Sequence, residues 1–190
     1  MKVYCDMDGV LVDLESYWLE RYNLDFDDNL KIEDLTDYDF TKFVKSPNVF
    51  LNYLKESGFH GPERKPLGDS IEIFTKIYSE VANLFILTSP YKNSETCIRD
   101  KKEWVKKYLS FFPPEDMIFC HHKHLLSRPG DVLLDDKPTS LKRWSSNGGI
   151  SVCYKRRWND NSGANYEVKG WHDFYWLLER IKEGTADIQL

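Results

Sequence analysis

The stretch Met1–Asp13, MKVYCDMDGVLVD, ends an apolar run in two acids, Asp6 and Asp8, and follows them at once with Gly9. Strands that point into a core do not ordinarily finish in paired carboxylates, because an unpaired buried charge is costly. A D-x-D-G on its own fits a solvated structural turn equally well. An EF-hand loop does not fit, since its glycine stands further from the second acid than Gly9 does. The meaning of the pair therefore depends on what the rest of the chain brings to it.

At 190 residues the chain has room for one domain, or one domain with an inserted module, and for a sizeable core. Hydrophobic residues at 41% and charged residues at 30% are those of an ordinary soluble globular protein. A formal net charge of -5 argues against long nucleic acid as a partner, which needs a basic face, but leaves room for a small phosphorylated ligand held by local cations. No apolar stretch approaches the ~20 residues needed to span a bilayer. The N-terminus is not read as a signal peptide, and no membrane partner is expected. Cys5, Cys97, Cys120 and Cys153 are scattered without paired spacing, as reduced thiols in a cytoplasmic protein would be.

Five short apolar runs predict strands over 2–8, 83–89, 116–120, 131–136 and 149–154. They are near-continuous rather than alternating, the pattern of parallel strands covered on both faces. Helical patterns lie between them, over 70–82 with Asp69 as N-cap, 94–110, 139–147 and 171–184. The alternation predicts an α/β fold, a doubly wound, Rossmann-like parallel sheet. One interval breaks the rhythm. Roughly seventy residues separate the first two strands, against about 2–6 for an ordinary connection. SYWLERYN and SPNVFLNYLKES read as helical within it, with the acidic, aromatic IEDLTDYDF between them. We therefore expect a small helical cap over 14–66, inserted after strand one of a core built from 1–13 and 67–190.

Ligands of open parallel sheets bind outside the carboxyl ends of the strands. Asp6 and Asp8, Thr88 and Ser89, and Asp135 and Asp136 all stand at such ends. If the strands are neighbours, four carboxylates and two hydroxyls share one crevice. A like-charged pair ~4 Å apart costs roughly 4 kcal/mol at an effective dielectric of about 20. Several such pairs would rival the ~5–15 kcal/mol that stabilises a whole domain. Protons or a cation must neutralise the cluster, and hard oxygen donors without clustered thiolates favour Mg²⁺. Mg²⁺ commonly bridges to substrate phosphate, so a phosphorylated substrate follows. The run CHHKH offers Cys120, His121, His122 and His124, but neighbouring histidines on an extended chain point opposite ways, and no second ligand pair accompanies them.

DMDGVLVD, ILTSP, a downstream Lys and VLLDD together resemble the four motifs of the haloacid dehalogenase (HAD) superfamily. Within it, TSPYK, DLTDYDF and GWHDF make the chain similar to the 5'(3')-deoxyribonucleotidases. The resemblance implies a Mg²⁺-dependent phosphomonoesterase acting on nucleoside monophosphates. Asp6 would be the nucleophile that becomes an aspartyl phosphate. Asp8 would protonate the leaving alcohol and then activate water, with its backbone carbonyl facing the metal. Thr88, Ser89, Lys92 and Lys123 would hold the phosphate. Lys101 and Lys102 are set aside as part of the solvated basic face of a helix. Metal ligation would fall to Asp6, Asp8 and Asp136, with Asp135 in support. Leu14, Tyr38 and Phe40 are the candidates for contact with the base, Leu14 standing where the family carries an aromatic. Arg156 and Arg157 are read as a solvated strand end, and Asp13 as a structural or capping acid. A HAD phosphatase of other metabolites, such as sugar phosphates, and an inactive HAD-fold binding protein are the competing readings.

Overall fold

The computed structural model describes residues 1–186; positions 187–190, expected to belong to the core, lie outside the described residues. Six strands form one sheet, all neighbours parallel, in the order β3-β2-β1-β4-β5-β6. They are β1 (Lys2–Cys5), β2 (Asn83–Thr88), β3 (Met117–Phe119), β4 (Val132–Asp135), β5 (Ile150–Tyr154) and β6 (Tyr166–Val168). The strand order reverses at β1, flanked by β2 and β4, and that reversal opens a crevice at the carboxyl ends. The α-helices among the described residues are α1 (Leu14–Phe26), α2 (Pro47–Lys55), α3 (Ser70–Glu80), α4 (Cys97–Tyr108), α5 (Pro138–Ser146) and α6 (Trp171–Glu183). The α/β doubly wound architecture is the one expected from the sequence.

The central strands are near-continuously apolar because both faces are covered. Val3, Cys5, Leu84, Ile86, Val132 and Leu134 meet Ile73, Phe74, Ile77, Trp104, Trp171 and Phe174 in one core. Tyr4, Leu87, Leu133 and Trp144 fill the opposite face. β6 was not expected. Its three residues, YEV, follow a polar loop and are too short to show a period.

The segment between β1 and α3 builds an apolar cluster of its own. Trp18, Tyr22, Leu35, Phe40, Phe50, Tyr53 and Phe59 are its buried members, and Trp158, from beyond β5, packs against it. IEDLTDYDF forms two single 3₁₀ turns, Ile32–Asp34 and Phe40–Lys42, rather than a third helix. The two chain connections that tie this module to the sheet run side by side. Asp13 N–H donates to the Lys65 carbonyl at 2.9 Å and Leu67 N–H to the Leu11 carbonyl at 2.8 Å. Asp13 caps α1 by accepting from the Ser16 amide at 3.1 Å. Asp69 does not cap α3 with its side chain; its carboxylate pairs instead with His172 Nε2 at 3.0 Å.

Trp18 is fully buried among aromatic rings, at 5.1 Å from Phe50 and 5.3 Å from Phe40 between centroids. Trp18→Ala is therefore expected to destabilise the protein by about 3–5 kcal/mol. Urea denaturation would show this as a lowered midpoint.

Candidate active site

The loop after β1 sets the geometry. Asp6 extends the strand by one bond, its amide donating to the Leu134 carbonyl at 2.9 Å, and the chain then turns, so the strand ends sooner than the apolar run predicts. Gly9 takes a φ of 75°, in the left-handed region that favours glycine. A Cβ there would also lie 2.5 Å from Asp136 Oδ2. Two conditions thus demand glycine at one position. Trp171, from the GWHDF run, pins the same loop from behind by donating from Nε1 to the Val10 carbonyl at 3.0 Å.

Asp6 Oδ1 accepts from the Met7 amide and from Lys123 Nζ, both at 2.8 Å. Lys123 is buried and also donates to Asp135 Oδ2 at 2.7 Å. The other Asp135 oxygen accepts from the Lys137 amide at 2.8 Å, so both oxygens of this fully buried carboxylate are engaged. Asp136 faces the cleft beside them. One carboxylate oxygen from each of Asp6, Asp135 and Asp136 lies within 4.8 Å of the others. Burial pushes the Asp6 carboxyl up to about 6, with Asp135 adding to the push and Lys123 opposing it. Burial, Asp135 and Asp6 likewise raise Asp136 well above the usual carboxylate range. Burial alone would lower Lys123; the charges of Asp135 and Asp6 overcome it and raise the ammonium instead.

Asp8 has a different environment, although it is only two residues away. Lys101 Nζ donates to Oδ2 at 2.6 Å and Arg64 Nη1 donates to Oδ1. Burial would raise its pKa, but Lys101 and Arg64 prevail and hold it well below the usual carboxylate range. Lys101 Nζ also donates to Thr88 Oγ1 at 2.6 Å. Lys101 is thus no part of a solvated face: it is fully buried. The spacing carried the signal. Cys97, Lys101, Trp104 and Val105 recur at helical intervals on the buried stripe of α4, whereas Ile98, beside Cys97, is 43% exposed. Arg64, fully buried as well, had no such signal in its polar, Pro-rich surroundings.

A cleft of about 570 Å³ opens over these groups. Thr88, Ser89, Lys92 and Lys123 line it on the sheet side, and Leu14, Tyr38 and Phe40 on the side of the inserted module. Ser89 Oγ donates to the Cys120 carbonyl at 3.0 Å, and Lys92 is exposed. Phe40 is mostly consumed by packing against Trp18, Phe50 and Trp158, whereas Tyr38 is half exposed, with Lys137 Nζ 4.9 Å from its ring centroid. Trp158, which the sequence did not single out, joins the same wall. His121 and His124 reach the cleft, and His122 stays exposed. Arg156 is not a solvated strand end: it pairs at 3.0 Å with the buried Glu15, at the start of α1. His60 is buried too, and desolvation lowers it to about 4.

A parallel sheet whose order reverses at β1, with acids at the strand ends, is the fold shared with HAD-superfamily hydrolases. A haloacid dehalogenase-like hydrolase from Burkholderia xenovorans superposes with a TM-score of 0.60 at 12% identity, over 95% of this chain and 97% of the other. A HAD hydrolase from Bacillus subtilis, whose structure has magnesium bound, does so at 0.52 and 12% identity, over 94% and 98%. Residues 1–183 match the profile of the family described as "5' nucleotidase, deoxy (Pyrimidine), cytosolic type C protein", and the chain belongs to that family. It is a phosphoric monoester hydrolase. The 5'(3')-deoxyribonucleotidase of Clostridium acetobutylicum is 27% identical over 183 residues, 94% of each chain. The 5'(3')-deoxyribonucleotidase of Bacillus subtilis is 23% identical, over 88% of this chain and 92% of its own.

The raised Asp6 predicts how the metal-free protein responds to pH. A carboxyl whose folded pKa is about 6, against an ordinary 3.8, destabilises the fold above that range and ceases to do so as pH falls through it. Asp6→Asn should therefore stabilise the metal-free protein at pH 7, by on the order of 2 kcal/mol. The advantage should vanish near pH 4. Thermal melts across that window, with chelator present, measure both.

Proposed function

We propose that the chain hydrolyses nucleoside monophosphates, as a 5'(3')-deoxyribonucleotidase, through an aspartyl phosphate on Asp6. The observation that carries this reading is the division of labour between the two strand-end acids. Asp6 Oδ1 is tied to Met7 and Lys123, which leaves Oδ2 to attack phosphorus. Asp8 is a separate carboxylate at the same cleft, held by its own cations. In the first step a bond forms between Asp6 Oδ2 and phosphorus, the ester bond breaks, and Asp8, which must take up a proton in the substrate complex against the pull of Lys101 and Arg64, gives that proton to the departing alcohol. In the second, water attacks phosphorus, Asp8 takes its proton, and Asp6 leaves with inorganic phosphate released. Thr88, Ser89, Lys92 and Lys123 would receive the phosphoryl oxygens.

The three converging carboxylates are a hard, all-oxygen donor set, which suits Mg²⁺. Asp6 and Asp136, with the Asp8 carbonyl, would hold the ion, and Asp135 would orient its surroundings through Lys123 and the Lys137 amide. The ion would supply charge stabilisation for the phosphoryl group. Residues 14–66 would act as the cap, with Leu14 and Tyr38 as the base-facing wall and Phe40 supporting it from behind. The four cysteines are free thiols, which supports a reducing, cytoplasmic setting.

A panel of deoxynucleoside, ribonucleoside and sugar monophosphates, assayed for phosphate release, tests the substrate. Preference for deoxynucleotides is expected; equal rates on all three would replace the reading with a broad phosphatase. Asp6→Asn should lose at least about 10³-fold in kcat. Chelation should abolish turnover and added Mg²⁺ restore it.

A further inference from the structure

The mechanism above leaves the buried guanidinium of Arg64 without a task. Arg64 belongs to the segment by which the chain returns from the inserted module to the sheet, and none of it is exposed. A charge so placed persists only where its partners are fixed. Nη1 donates to Asp8 Oδ1, Nη2 donates to the His60 carbonyl, and the Arg64 carbonyl accepts from Trp104 Nε1 at 2.8 Å. His60 in turn is held by Nε2 against the Leu54 carbonyl, on α2, at 2.9 Å. The side chain is thus anchored at its own backbone and at the far end of its planar fork. Asp8 lines the cleft, while Arg64 and Lys101 stand behind it, one on each oxygen. Lys101 is a rotatable point charge shared with Thr88; Arg64 is a rigid fork committed to Asp8 and to the return segment.

We propose that Arg64 is a positioning residue that aims Asp8 at the leaving oxygen and couples that aim to the seating of the inserted module. It touches no substrate and acts through Asp8. The inference rests on the acid/base assignment of Asp8 made above. It requires that loss of Arg64 impair the departure of an alcohol that needs a proton far more than the departure of one that does not.

The experiment compares kcat/KM of the purified enzyme on a deoxynucleoside 5'-monophosphate and on p-nitrophenyl phosphate. This parameter reports the steps up to the first irreversible one, here loss of the alcohol. A nucleoside alkoxide needs protonation; p-nitrophenolate leaves without it. Arg64→Met, close in volume and uncharged, should lose roughly 10²-fold on the nucleotide and less than about 3-fold on the aryl ester. Arg64→Lys should regain part of the loss, and it decides the matter by the same ratio if the Met variant does not fold. Equal losses on both substrates, or no loss on the nucleotide, would overturn the inference while leaving the proposed function intact. A wild-type enzyme inactive on every nucleotide would overturn that function and this inference with it.

Discussion

The Lys123 ammonium lies between two of three carboxylates gathered at the ends of neighbouring parallel strands, 2.8 Å from Asp6 and 2.7 Å from Asp135. At such distances each attraction is worth roughly 4 kcal/mol or more at an effective dielectric of about 20, and each repulsion between the acids costs the same order. One ammonium therefore offsets only part of the cluster, and Asp6 and Asp136 are raised, by burial first and by the neighbouring acids after it. A core that tolerates two such carboxyls is held together elsewhere, by apolar strands buried on both faces. The price is a site that gains stability from any cation it binds.

The same constraint explains why Asp6 and Asp8 differ so widely. Their side chains alternate along the extended strand end, so two residues set apart by Met7 could have shared one environment. Instead the backbone turns at Gly9, and the left-handed φ there brings the loop against Asp136. Asp8 is then met by cations from α4 and from the return segment, neither of which contacts Asp6. Trp171 and Trp104 hold the two pieces of backbone concerned, at the Val10 and Arg64 carbonyls. The GWHDF run at the end of the chain thus serves the loop at its beginning.

Much of this was legible in the sequence because it lies in local patterns. Near-continuous apolar runs announced parallel strands, and polar strand ends announced the crevice. Lys123 was readable from its place between a strand and VLLDD. What escaped depends on tertiary placement. Arg64 sits in a polar turn that looks like any solvated loop, and it is buried where that turn docks against the loop after β1 and against α4. Lys101 was misjudged by composition, since its lysine neighbours mask its helical register with Cys97 and Val105. Phe40 and Tyr38, two residues apart in one motif, part company because the 3₁₀ turn at Phe40 swings one ring into the module's core and leaves the other over the cleft.

That separation bears on how the site divides its tasks. The sheet side supplies charge: acids and hydroxyls at strand ends, with the Lys123 ammonium beside them. The inserted module supplies an apolar wall whose shape depends on its own core of Trp18, Phe40 and Phe50. A substrate with an anionic end and a planar, weakly polar end would span the two. Its binding at the wall would then be sensitive to the packing of the module, and reactivity at phosphorus would feel that packing through the side chains that tie the module to the sheet. Arg64 is one such tie, and the one that reaches a strand-end acid of the cleft, because it donates both to the His60 carbonyl in the return segment and to Asp8. It neither lines the cleft nor touches solvent.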